Sequence, residues 1–308
     1  MFYATINIRN KETYQQFWKR YKRPPIKEFQ NYIIERRDLL VPQDIRERKG
    51  AFFTPRQWVE LSQKYLCDLL GENWQEEYFI WDCAAGTGNL LAGLTNKYNI
   101  WASTLDQADV KVMHERINHG ANLLESHVFQ FDFLNDEFSK LPKGLQDIIN
   151  DEQKRKKLII YINPPYAEAG STKLKNAKTG VSNENEIHKK YHSQLTAYAK
   201  REIYVQFLTR IYLEIPNSKI ALFSKLKHLQ SSYFSEFRKM FKSKLESLFI
   251  VPANTFDNVK GEFPIGFSLW NLDEKLLFNS ITADIYEKDG QFAGMKTIYS
   301  YDNEKFIN

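Results

Sequence analysis

Tyr78-Phe79-Ile80-Trp81-Asp82-Cys83-Ala84-Ala85-Gly86-Thr87-Gly88-Asn89 is the stretch on which the fold turns. Its first five residues form an apolar run too short for a stable helix, and the run ends on a carboxylate. Two glycines follow, so the chain can turn sharply and a ligand can approach the backbone with no Cβ in the way. A helical pattern over 88–98 then completes a strand, turn and helix. Working outward, further strands are predicted at 100–106, 127–132, 158–162, 219–224, 247–251 and 266–272. Helices are predicted at 55–70, 107–119, 195–214 and 230–243. The first four strand ends fall near residues 82, 106, 132 and 162. Intervals of that size fit successive βα units, so the fold class is α/β with a largely parallel sheet.

The flanks differ from this body. Residues 10–23 and 26–40 read as two helices split by Pro24-Pro25, and Pro42 closes an N-terminal helical extension over 1–48. Residues 1–50 hold 12 basic and 6 acidic side chains, while the whole chain of 308 residues has 43 Lys+Arg against 38 Asp+Glu. Basic blocks recur at 167–201 and at 225–244. They suit a polyanion partner, with solvated helix faces as the alternative. Lys225, Lys227, Arg238, Lys239, Lys242 and Lys244 are the candidates for tracking a phosphate backbone. Residues 167–194 are polar with little periodicity and read as a mobile loop. Residues 281–308 read as a hairpin around Asp289-Gly290 and a tail. No run approaches a membrane span and no signal peptide opens the chain. Two cysteines, Cys67 and Cys83, cannot build a disulfide scaffold, so the expected compartment is the cytoplasm. His188 and His192 stand four apart but lack a third ligand, and no metal site is expected.

Four signals carry chemistry. The Asp82–Gly88 turn resembles a nucleotide-type loop, although Leu91 departs from G-x-G-x-x-G and no Gly-Lys-Ser/Thr makes it a P-loop. A glycine-rich turn without a ligand is the plain alternative. Asp106, about 20 residues past the glycines, can accept from both hydroxyls of a ribose. In Asp132-Phe133 a carboxylate can accept from an exocyclic amine and a phenyl ring can stack on a purine. Asn163-Pro164-Pro165-Tyr166 follows the strand Leu158–Ile162. Its prolines fix an extended shape and remove two N–H donors. The Asn163 amide oxygen and the Pro164 carbonyl could then converge on one NH₂ group while Tyr166 offers a face to a planar base. The plain alternative is a rigid Asn-Pro turn.

With these residues in this order, residues 49–272 resemble the S-adenosylmethionine-dependent N6-adenine DNA methyltransferases of the gamma motif order. Type I modification subunits and type IIG restriction-modification enzymes belong to that group. Lys49-Gly50-Ala51-Phe52-Phe53-Thr54-Pro55 resembles the motif beside the methionine end of the cofactor. The resemblance implies a class I methyltransferase, Rossmann-like mixed sheet of seven strands in the order 3-2-1-4-5-7-6, with strand 7 antiparallel. It implies a catalytic domain over 49–280, with Asn163, Pro164, Pro165 and Tyr166 as the catalytic motif. Phe53, Thr54, Pro55, Asp82, Ala84, Gly86, Gly88, Asp106, Asp132, Phe133 and Asn163 would hold S-adenosyl-L-methionine. Phe263-Pro264-Ile265-Gly266-Phe267 would line the target-base pocket. DNA is the implied partner, its adenine flipped out to reach the site.

About 36 residues follow Leu272, too few for the target-recognition domain usual in the group. Recognition would then come from a separate specificity subunit, from a domain the chain lacks, or from the N-terminal helices and the 167–194 segment. The chain is accordingly expected to bind the cofactor but to methylate DNA poorly alone. Two other readings stay open: a methyltransferase acting on an RNA base or a protein glutamine amide, and a non-catalytic DNA-binding subunit that keeps the fold.

Overall fold

The computed structural model describes residues 54–166, 185–194, 198–256 and 263–302, together with Glu12. The expected N-terminal helices, the Lys49–Phe53 stretch and most of the expected mobile loop lie outside the described residues. Among the described residues, nine strands form one sheet: β1 (Phe79–Asp82), β2 (Ile100–Thr104), β3 (Val128–Gln130), β4 (Leu158–Ile162), β5 (Lys219–Lys225), β6 (Lys244–Pro252), β7 (Pro264–Asn271), β8 (Ser280–Tyr286) and β9 (Phe292–Tyr299). Their order is β3-β2-β1-β4-β5-β7-β6-β8-β9. Strands β1 to β5 pair in parallel, and β7 runs antiparallel to both β5 and β6. The expected seven-strand order is therefore present. Beyond it, the hairpin of β8 and β9 extends the sheet, because β8 pairs in parallel with β6.

Central strands are apolar on both faces, as strands buried from both sides must be. Every residue of β2 and β4 is buried. Side chains alternate between the faces. Ile159 and Tyr161 of β4 join a core with Ile80, Phe223, Phe249 and Phe267, covered by α1 (Arg56–Leu70) and its Trp58, Val59 and Leu66. Leu158, Ile160 and Ile162 join the opposite core with Trp81 and Phe131. The helices in chain order after α1 are α2 (Trp74–Glu77), α3 (Gln107–Asn118), α4 (Lys143–Asn150), α5 (Glu152–Lys156), α6 (Glu186–Tyr191), α7 (Ile203–Glu214), α8 (Lys227–Gln230) and α9 (Ser235–Met240). Through Val110 and Met113, α3 joins α1 on the first face, while α4, α7 and α9 cover the second. Burial of each large ring in these layers contributes on the order of 2–3 kcal/mol.

Three expectations are corrected. The helix expected at 88–98 is a 3₁₀ turn over Asn89–Leu91. Leu90, Leu91 and Leu94 are buried as a helical pattern suggests, but Gly93 takes φ +87°. Side chains from elsewhere satisfy the backbone a helix would have paired: Gln63 donates to the Ala92 carbonyl at 2.8 Å, Asn122 donates to the Leu94 carbonyl at 3.0 Å, and Gln75 accepts from the Thr95 N–H at 2.6 Å. The helix expected at 230–243 is split into α8, a 3₁₀ turn and α9, with the Ser231 hydroxyl accepting from the Tyr233 N–H at the break. The expected mobile loop ends in a docked element. Asn185 caps α6 at the His188 N–H, at 2.8 Å, and donates to the buried Gln206 at 2.6 Å, while Ile187 and Tyr191 are buried.

Candidate active site

Because β1 to β5 run parallel, their carboxyl ends emerge along one edge, where open α/β sheets bind ligands. Asp82 ends β1 and is 1% exposed; its Oδ1 accepts from the Ala84 N–H at 3.0 Å. Burial pushes its carboxyl up to about 8, partly offset by that N–H. Ala84 and Gly86 are half-buried and Gly88 is buried. The turn needs its glycines: Gly86 takes φ +52° and Gly88 φ +81°, the left-handed region. A Cβ on Gly88 would stand 3.2 Å from Met113 Sδ, whereas one on Gly86 meets no described atom within 4 Å. Cys83 is buried, and burial pushes its thiol well up, the state of an inert packing residue. Arg116, absent from the expected site, locks the turn from α3: it donates to Asn89 Oδ1 at 3.0 Å and to the Thr87 carbonyl. Its only sequence signal was a position in the last turn of the helix after β2.

Asp106 follows β2 at the N-cap of α3 and is half-exposed. Asp132 lies just beyond β3, where its carboxylate accepts from the Leu134 N–H at 3.0 Å and from Asn135 at 2.7 Å. Phe133 corrects an expectation: its ring is 3% exposed, so it is not offered to a purine. It stacks on Phe207 with centroids 4.8 Å apart, meets Trp81 edge-on, and lies under the Arg210 guanidinium. Arg210 in turn donates to the Phe133 carbonyl, to the Asp136 carbonyl at 2.8 Å and to Glu214 at 2.7 Å.

The corner after β4 adjoins the glycine turn, since β1 and β4 are neighbours with Trp81 opposite Ile160. Asn163 and Pro165 are half-buried, and Pro164 and Tyr166 are buried. Here too the expected geometry is corrected. The Tyr166 hydroxyl donates to Asn163 Oδ1 at 2.5 Å, and the ring is 3% exposed instead of presenting a face. A buried phenol needs a partner, and the amide three residues back supplies it. Burial also pushes the Tyr166 hydroxyl well up, so it stays a donor. The Asn163 amide donates to the Thr54 hydroxyl at 2.8 Å. Thr54 thus does not cap α1; Pro55 holds the N-cap position and its carbonyl accepts from Trp58 and Val59. Lys225, at the end of β5, donates to the Tyr166 carbonyl at 3.0 Å. Phe53 lies outside the described residues.

Ile265 and Phe267 are buried core residues on β7, while half-buried Phe263 and exposed Pro264 stand at this edge, the Phe263 ring 5.9 Å from Lys225 Nζ. Most of the cations expected to track phosphates face acids of this chain. Lys225 and Lys227 meet Glu202, Lys239 meets Glu236, and Lys244 meets Glu246 and Glu274. Arg238 is 4% exposed and holds Asp302 at 3.0 Å and the Ser231 carbonyl at 2.8 Å, a structural role. Among the described residues no helix is long and apolar enough to cross a membrane.

No family model matches the chain, and no curated protein matches it in sequence. Solved structures do. A DrdV–DNA complex superposes with a TM-score of 0.60 at 15% identity, over 90% of this chain and 32% of that one. The methyltransferase subunit of a type I restriction-modification system from Streptococcus thermophilus gives 0.51 at 16% identity, over 76% of this chain and 47% of that one. The type IIG restriction endonuclease BpuSI gives 0.51 at 16% identity, over 87% of this chain and 32% of that one. The chain thus spans about a third to a half of the length of these three proteins. Strand order, the antiparallel β7 and these likenesses agree: the chain has the class I methyltransferase fold.

Proposed function

We propose that this chain transfers a methyl group from S-adenosyl-L-methionine to N6 of a flipped-out adenine in DNA, within a cytoplasmic restriction-modification or related system. The observation that carries the reading is the Asn163-Pro164-Pro165-Tyr166 corner on β4, set beside the glycine turn of β1 at the ligand edge of this fold.

The residues present fit the cofactor. No described atom lies within 4 Å of a Cβ placed on Gly86, Asp106 is half-exposed at the neighbouring strand end, and Asp132 follows on the next. Gly86, Gly88 and Ala84 would hold it through the backbone, Asp106 at the ribose and Asp132 at the adenine edge. Asp82 and the Phe53-Thr54-Pro55 stretch would lie toward the methionine end. When bound, S-adenosylmethionine supplies a methyl group on a positively charged sulfur, which is already a good leaving group. The protein's task is position and electrostatics. Adenine N6 is a poor nucleophile because its lone pair is delocalised into the ring. Asn163 Oδ1 and the Pro164 carbonyl would accept its two hydrogens and favour the more tetrahedral amine, freeing its lone pair for the methyl group. The new N–C bond would form as the sulfur–methyl bond breaks, and one of those hydrogens would then be lost as a proton to solvent. For this, Asn163 exchanges the Tyr166 hydroxyl for the incoming amine and the Tyr166 ring swings onto the base. Target recognition would come from a partner subunit, a further domain, or the 1–48 and 167–194 segments.

The test offers methyl-labelled cofactor to the purified chain with DNA, RNA and protein fractions. Label in DNA that digests to N6-methyladenine, weak without a recognition partner, is the expected result, and label in RNA or protein alone overturns it. A second reading, a subunit that keeps the fold without transferring methyl groups, is favoured by one observation, the Tyr166 hydroxyl seated on Asn163. Cofactor binding in calorimetry with no label in any fraction would select it.

A further inference from the structure

The corner after β4 is held in an unusual way. Pro164 and Pro165 have no N–H to give, so the chain there cannot be zipped to β5 as a strand would be. The β4–β5 register, Ile162 opposite Leu222, carries forward to set residue 225 level with residue 165. The alternation along β5 puts Lys225 on the face of Ala221 and Phe223, where the Tyr166 ring also packs. There Lys225 Nζ donates to the Tyr166 carbonyl at 3.0 Å. Its ammonium also lies 3.6 Å from Glu202 Oε2, and its side chain is 17% exposed. Glu202 sits at the N-cap of α7, on the layer covering the other face, and is 0% exposed. Its second oxygen takes the Lys227 ammonium at 2.6 Å. A buried carboxylate survives only when paired, and the helix N-terminus favours its charge. Both lysines meet the one carboxylate, and Lys225 also directs its ammonium at a carbonyl of the corner.

Resting on the proposed methyl transfer, we propose that Lys225, aimed by Glu202, is a positioning residue of the site. It fixes the Tyr166 carbonyl, and with it the backbone of the corner that aims the Asn163 amide and the Pro164 carbonyl, while the Tyr166 side chain stays free to turn. Glu202 acts one step further out, by keeping the lysine over the corner. Neither residue touches the reacting atoms.

The experiment is single-turnover methyl transfer to DNA with the full chain in excess, which reads slow transfer as well as fast. Lys225→Met keeps the stem and removes the ammonium. It is expected to slow the transfer step by about tenfold or more, as misplacement of a reacting group does, with cofactor affinity and melting temperature close to wild type. Lys225→Arg should recover much of the rate, and Glu202→Gln should fall between. A Lys225→Met variant with the wild-type rate overturns the inference. So does one whose loss is matched by equally weakened cofactor binding and a lowered melting temperature. A wild-type chain that labels no DNA is the separate failure of the proposed function. The clamp is then read without chemistry, by chymotryptic cleavage after Tyr166. Cleavage several-fold faster in Lys225→Met than in wild type supports the clamp, and equal cleavage overturns it.

Discussion

At the ends of β1 and β2 the ligand edge is built from backbone and half-exposed carboxylate, whereas at the ends of β4 and β5 it is built from buried side chains that satisfy one another. On the first side no described atom lies within 4 Å of a Cβ placed on Gly86, and Arg116 holds the turn from behind. On the second, Tyr166 occupies Asn163 Oδ1, Asn163 donates to Thr54, and Lys225 closes on the Tyr166 carbonyl. A preformed half can take a ligand with little rearrangement. A self-satisfied half must exchange internal hydrogen bonds for external ones, so its opening is coupled to whatever enters. The difference suits a site that accepts its cofactor first and its second substrate at the cost of a local rearrangement.

The comparison is sharpened most by Asn163→Ala. Removing the amide should lower methyl transfer by about 10²–10³-fold, the usual loss for a preorganised polar group at a reacting centre, with the fold retained. Labelled-cofactor assays on DNA check it, and wild-type turnover would remove Asn163 from the role. Next in size is Asp82, whose carboxyl is raised from an ordinary 3.8 to about 8 by burial. Between those values the folded chain keeps a proton that the unfolded chain has lost. Stability from this group is therefore full below pH 4 and falls as pH rises toward 8. Asp82→Asn abolishes that fall. Relative to wild type it should gain on the order of a few kcal/mol between pH 4 and 8 in urea unfolding, and parallel pH profiles would contradict the assignment. Asp106→Ala should weaken cofactor binding by about tenfold or more through two lost hydrogen bonds, leaving the melting temperature near wild type. Unchanged affinity in calorimetry would take the ribose away from Asp106.

These positions were legible in the sequence because strand ends are. Strand ends expected near 82, 106 and 162 fall at or within two residues of the observed Asp82, Thr104 and Ile162, and Asp289-Gly290 announced the hairpin, with Gly290 at φ +85°. Side-chain direction was not legible. Phe133 turns into the core because Phe207 and Arg210, more than seventy residues away, surround it, and Tyr166 turns in because Asn163 can take its hydroxyl. The helix expected over 88–98 failed for the same reason. Leu90, Leu91 and Leu94 fit a helical period, but Gln63, Gln75 and Asn122 supply partners that let a turn bury them instead. Periodicity records that a residue is buried, and the tertiary partners decide by which backbone.

The two glycines of the turn offer the finest test of the open half. Both take left-handed φ, so alanine at either costs about 1 kcal/mol of strain. At Gly88 the new methyl also meets Met113, whose sulfur lies 3.2 Å away and which is 0% exposed, with little room to yield. Gly88→Ala should therefore lower stability by about 2 kcal/mol and Gly86→Ala by about 1 kcal/mol. Affinity for the cofactor should rank the other way. The Gly86 methyl meets no described atom within 4 Å beside a half-exposed turn, where a ligand would feel it. Denaturation without cofactor and calorimetry with it separate the two scales. If Gly86→Ala binds cofactor like wild type, the space beside Gly86 lies outside the binding site, and the turn is a device for packing β1 against α3.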